Sequence, residues 1–206
     1  QVNSITINGC GYNITGASPL NITSSTPISV SCDTLGATNA INITGLVFTS
    51  AVPIQVQHQT SLVAAGNVTL DLGLTNGVQW NGSLEFRQTQ PGMTQPIIRV
   101  KLNELNAAPT NEIVVHGGRT VFPSANVYSG LTSVVLGQLE VLDSAGLGAS
   151  GTAATGTIVR SNAILTKGNV SIAGELLTLD DNLNAAGVPD PLLFASGAGN
   201  WGGAIA

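Results

Sequence analysis

Charge is scarce in this 206-residue chain. Asp, Glu, Lys and Arg together make up 8% of it, against about 25% in ordinary soluble domains. Aromatic residues are 4%, and there are two cysteines and one methionine. Each scarcity excludes something. Six basic residues, unclustered, against eleven acidic ones offer no footprint for nucleic acid or for an anionic membrane surface. No apolar run approaches the roughly 20 residues that span a bilayer, so no membrane insertion of the chain is expected. Trp80, Trp201, Tyr12 and Tyr128 are too scattered to suggest a sugar-stacking platform. The first formal charge is Asp33, so solubility rests on Asn, Thr, Ser and Gln, or on something attached to them. The deficit is not that of a disordered chain, because 43% of the residues are hydrophobic and disordered chains are poor in aliphatics and rich in charge.

What is present is β-prone and aliphatic. Gln1 to Cys10 (QVNSITINGC) places Ile5 and Ile7 on one face and Ser4, Thr6 and Asn8 on the other, the alternation of a half-buried strand. Further strand patterns follow about every 10–12 residues, separated by Gly, Pro, Asn and Ser. They include Ile28–Cys32, Ile41–Phe48, Ile54–His58, Val68–Leu74, Val78–Phe86, Ile97–Leu102, Ile113–His116, Val134–Leu142, Thr157–Thr166 and Glu175–Leu179. Asn81-Gly82 within Val78–Phe86 is the signal of a two-residue hairpin turn. No heptad, long amphipathic helix or repeat is visible. The rhythm predicts one all-β domain, an immunoglobulin-like β-sandwich over residues 10–206, with residues 1–9 as a strand-forming tail. Cys10 and Cys32 predict one disulfide, worth about 3 kcal/mol by loop closure; the alternatives are a buried free pair or half a metal site. The chain begins at Gln1 and is read as a mature, secreted protein after signal-peptide removal.

N-x-[ST] occurs at Asn13, Asn21, Asn42, Asn67, Asn81 and Asn169. In five of the six the middle residue is Ile or Val. On a strand that puts Asn and the hydroxyl residue on the outer face and the aliphatic inward, so all six are glycosylation candidates that leave the core undisturbed. The other reading is that Asn and Thr serve as polar strand-face residues.

A search for chemistry returns little. His58 shares a face with Ile54 and Val56 and reads as a core histidine. His116 begins HGGR, which is like an oxyanion-hole loop but lacks the partner G-x-S-x-G elbow. Asp33-Thr-Leu-Gly and Asp143-Ser-Ala-Gly each carry one residue too many for an aspartic-protease loop. Asp180-Asp181-Asn182-Leu183-Asn184 starts like a calcium loop, but Ala185 and Pro191 stand where Gly and Glu belong. Zinc would need two ligands beyond the cysteines, with only His58 and His116 on offer. No catalytic residue, metal or cofactor is assigned, and no enzyme is expected.

The leader QVNSITINGC, the early cysteine pair, the scattered NIT, NVT and NGS sequons and the charge-poor β-body together resemble the thread pilins of thermoacidophilic archaea. That resemblance implies a glycosylated extracellular filament, similar in architecture to chaperone–usher pili, with a role in adhesion or biofilm. Identical subunits would join head to tail by donor-strand complementation. Val2, Ile5 and Ile7 would then be the side chains inserted into the next subunit. The competing expectation is a monomeric secreted or surface-layer-associated β-sandwich binding domain. With few carboxylates in ion pairs, stability is expected to depend weakly on pH.

Overall fold

Every strand pair among the described residues is parallel. The computed structural model describes residues 2–34, 36–49, 54–59, 68–88, 96–105, 111–149, 152–160, 162–180, 192–195 and 198–206. Within them the chain is all-strand, but it is not the expected sandwich. An immunoglobulin-like sandwich is built from antiparallel pairs; here a large parallel sheet curls round the core, and the chain winds through it in successive coils.

The first coil holds β1 (Ile5–Asn8), β2 (Asn13–Gly16) and β3 (Leu20–Ile22). The second holds β4 (Ile28–Ser31), β5 (Thr38–Ile43) and β6 (Leu46–Phe48), and the third β7 (Ile54–Gln59), β8 (Thr69–Leu72) and β9 (Gln79–Trp80). β10 (Leu84–Gln88) and β11 (Ile97–Val100) make the fourth. In the next two coils a single long strand covers two faces: β12 (Glu112–Phe122), then β13 (Leu131–Val141). β14 (Thr157–Arg160) with β15 (Ala163–Lys167), and β16 (Leu177–Asp180) with β17 (Leu192–Ala195), complete the series. Each strand pairs with its counterpart one coil away: β1 with β4, β4 with β7, β7 with β10, β2 with β5, β3 with β6. Parallel neighbours need a crossover between them, and the other two faces of the coil supply it, with no helix among the described residues.

The register stacks like on like. Ile5, Ile28, Val56, Phe86, Val115, Val134, Val159 and Leu179 form one inward column of eight rungs. Leu70, Ile98, Thr120, Leu139 and Leu165 form a second, and Ile22, Phe48 and Trp80 a third. These side chains fill the centre of the coil. A core of this shape needs only aliphatic side chains at alternate positions, which is what the composition supplies.

Two further expectations need correction. Asn81-Gly82 does turn the chain, with Gly82 at φ +91°, but β9 and β10 do not pair as a hairpin; β9 joins β6 and β10 joins β7 and β12. The residues 1–9 tail is not separate from the sheet either, since Ile5–Asn8 is its first rung.

Candidate interaction site at the end of the coil

β1 and β2 lie at the two ends of the strand path, so no described strand covers their outer edges. Ile5 N–H donates to Pro27 O at 2.8 Å and Gly9 N–H to Ser31 O at 2.9 Å. Alternate residues of a parallel strand bond to opposite sides, so Thr6 and Asn8 turn their peptide groups away from β4. In β2 the same logic applies: Ala40 N–H bonds to Tyr12 O and Thr44 N–H to Gly16 O, leaving Asn13 and Thr15 on the free side. The third face is covered by Val2, whose N–H donates to Asn21 O and whose O accepts from Thr23 N–H.

The three side chains expected to insert into another subunit thus lie at the ends of interior columns in their own chain. Val2 ends the column Ile22–Phe48–Trp80, Ile5 the column Ile28–Val56–Phe86, and Ile7 the column Val30–His58–Gln88. Val2 is 38% exposed, while Ile22 and Ile28, one coil in, are fully buried. Ile5, Ile14 and Leu20 are only half-buried, because no described strand lies beyond them.

Two braces hold this end in shape. The Cys10–Cys32 disulfide forms, with Cα atoms 5.1 Å apart, and ties the β1–β2 turn to the strand below it. Asn39, fully buried, donates from Nδ2 to Gly9 O at 3.0 Å and accepts at Oδ1 from Tyr12 N–H at 2.9 Å. Sequence reasoning missed Asn39; the signal was a polar residue sharing the inward side of its strand with Ile41 and Ile43. At the other end of the coil, residues 204–206 lie along β16, with Leu177 N–H donating to Ala204 O and Leu179 N–H to Ala206 O.

No protein-family model matches this chain, and comparison with curated proteins and with solved structures returns no match. The function is therefore argued from the geometry.

Of the sequon asparagines, Asn13, Asn21, Asn81 and Asn169 are exposed, Asn42 is half-buried, and Asn67 lies outside the described residues. The middle residues Ile22, Ile43 and Val68 are buried and Ile14 and Val170 half-buried; Asn13, Asn21 and Asn42 lie on strands, whereas Asn169 lies in a bend.

The residues examined for chemistry are dispersed. His58 is enclosed within the coil, its Nδ1 3.1 Å from Ile97 O, and burial lowers its pKa to about 4. His116 is half-buried on the outer face of β12, and the Gly117-Gly118 pair behind it forms a sheet corner. Asp143 accepts from Ala145 N–H at 2.9 Å, closing a turn. Asp180 pairs with Arg160 at 2.7 Å; residues 181–191 of the calcium-like stretch lie outside the described residues. Among the described residues no three His, Cys, Asp or Glu side chains converge to hold a metal.

Proposed function

We propose that this protein is the structural subunit of an extracellular, N-glycosylated filament in which identical subunits stack head to tail. The observation that carries the reading is the first rung, whose two outer sheet edges no described strand covers and where Val2, Ile5 and Ile7 end interior columns. Unpaired backbone groups and exposed aliphatics at a sheet edge are a template for another chain. A second copy would add its final coil to that edge, continuing both the hydrogen-bond ladders and the interior columns. The contact is heterologous, so it propagates instead of closing. The junction therefore uses Val2, Ile5 and Ile7, as the resemblance implied, but as the first rung of a continuous coil, since there is no sandwich with a missing strand to receive them. Glycans on Asn13, Asn21, Asn81 and Asn169 would project sideways from the coil and leave its ends free.

The test is assembly. With eight rungs at about 4.8 Å each, stacked subunits give an axial repeat near 40 Å in negative-stain or cryo-electron micrographs. Thr6→Pro removes an N–H that faces away from β4, a position where a strand tolerates proline. It is expected to abolish fibres while leaving the thermal unfolding midpoint within a few degrees of wild type. Val2→Lys, which sets a charge over a column end, is expected to do the same. A wild-type chain that stays monomeric at high concentration, or fibres that persist in both variants, would overturn the proposal.

A further inference from the structure

The outer surface of the second face carries a groove unrelated to the coil ends. It is open, about 450 Å³ in volume, and runs along the coil axis across five successive rungs, from Thr38 through Thr69, Ile97 and Arg119 to Glu140. Ile97 and Val121, only 5% and 3% exposed, form a narrow apolar strip at its floor, and Leu142, 42% exposed, stands at one end. Two ion pairs flank the strip. Arg99 donates from Nε to Asp71 at 2.6 Å and also from Nη2; Arg119 donates from Nε to Glu140 at 3.0 Å and also from Nη2. In both pairs the guanidinium is the more exposed partner, 44% against 11% and 30% against 13%. Each arginine is therefore held rigid over its carboxylate, with its Nη1 edge not engaged by any described residue.

We infer that this groove binds a linear, uncharged polysaccharide. Its length favours a chain over a compact ligand: five rungs at about 4.8 Å span roughly 20 Å, and that spacing is close to the advance per residue of an extended β-1,4-linked pyranose chain. The floor suits the two sides of such a chain. Leu142 and the narrow exposed edges of Ile97 and Val121 meet the C–H faces of the rings, while the fixed arginine–carboxylate pairs make most of the contact along the hydroxyl edge, donating to and accepting from one ligand at once. Charge argues against a polyanion. Both arginines are neutralised within the groove, and the chain as a whole carries −5, so a run of uronates would meet two carboxylates and an unfavourable field. The site has no aromatic platform, so each sugar contributes little and affinity builds with length.

The inference is independent of assembly, because it rests on different residues and is read on monomeric Thr6→Pro protein as well as on fibres. The probes are cellohexaose, xylohexaose, mannohexaose and hexagalacturonate, titrated calorimetrically into the full chain. At least one neutral hexasaccharide is expected to bind, with its disaccharide at least tenfold weaker. Arg119→Met/Glu140→Gln removes one pair without stranding a charge and is expected to weaken binding at least tenfold. Arg160→Met/Asp180→Asn, which removes a similar pair on the first face, is expected to change nothing. Footprinting with phenylglyoxal needs no variant: the bound hexasaccharide is expected to protect Arg99 and Arg119 and leave Arg160 reactive. Absence of millimolar binding to all three neutral chains, stronger binding of hexagalacturonate, or undiminished binding without the Arg119–Glu140 pair would overturn the inference.

Discussion

His58 and Glu175 are both enclosed in the coil and respond to protons with opposite sign. His58 stands between Val30 and Gln88 in its column, and burial lowers its pKa from 6.5 to about 4, against a smaller opposing effect of its bond to Ile97 O. Glu175 accepts at Oε1 from Thr157 Oγ1 at 2.6 Å while Oε2 has no partner among the described residues. Burial raises its pKa from 4.5 to about 7, with the Thr157 bond opposing. The unfolded chain binds a proton at His58 below pH 6.5 where the folded one does not, so stability falls as pH drops from 6.5 towards 4. At Glu175 the folded state binds the proton first, so stability rises as pH drops from 7 towards 4.5. At 1.36 kcal/mol per pKa unit each effect is worth about 3 kcal/mol. They nearly cancel. The weak pH dependence expected from scarce carboxylates thus has a second source that composition does not reveal. Glu175→Gln separates the two. Denaturant unfolding is expected to show the variant about 3 kcal/mol more stable than wild type at pH 8 and equal to it at pH 4, with a steep loss between pH 6.5 and 4. A variant whose profile runs parallel to wild type at every pH would show that Glu175 is not protonated in the fold.

At the scale of elements, much was legible and pairing was not. Alternation put Ile5, Ile7, Ile54 and Val56 inward, where they lie, because period 2 reports which face a residue takes. It carries no information about which strand lies beside it or in which direction. The hairpin assigned to Asn81-Gly82 failed on that point: a positive-φ glycine marks a turn, and coils turn as often as hairpins do. HGGR was legible only as a motif without a partner. In the fold it is a corner. Gly117 (φ +94°) and Gly118 (φ +58°) oppose the single Gly137 (φ +83°) across β12 and β13, a bulge that bends both strands from the first face onto the second. A Cβ on Gly137 would lie 2.5 Å from Gly118 O and 2.7 Å from Gly117 C. Gly137→Ala is expected to cost about 3 kcal/mol in denaturant unfolding. Gly82→Ala, with a similar φ of +91° but nothing within 4 Å of the new atom, is expected to cost only about 1 kcal/mol. Equal losses would mean that backbone conformation, not the crowding of the corner, sets the requirement.

At the scale of the molecule, the repeat escaped the sequence because its length is not fixed. The step between stacked residues runs from 19 (Ile113 to Thr132) to 32 (Phe48 to Trp80), as turns of differing length join strands of constant register. A fixed-period search finds nothing, although every rung rests on its neighbours as in a repeat protein. That arrangement makes stability local along the axis. Trp201 stacks beside Ile172 and donates from Nε1 to Glu175 O at 3.2 Å, closing the last coil, where Lys167 Nζ also bonds to Gly199 O at 2.6 Å. Trp201→Ala is expected to open that end alone. Hydrogen exchange would then speed up in β14, β15 and β16 and remain unchanged in β1, β4 and β7, since nearest-neighbour coupling fades within a few rungs. Uniform acceleration along all eight rungs would mean instead that the core unfolds as one cooperative unit. Mutations at one end would then be felt at the other, including at the open rung through which subunits are proposed to join.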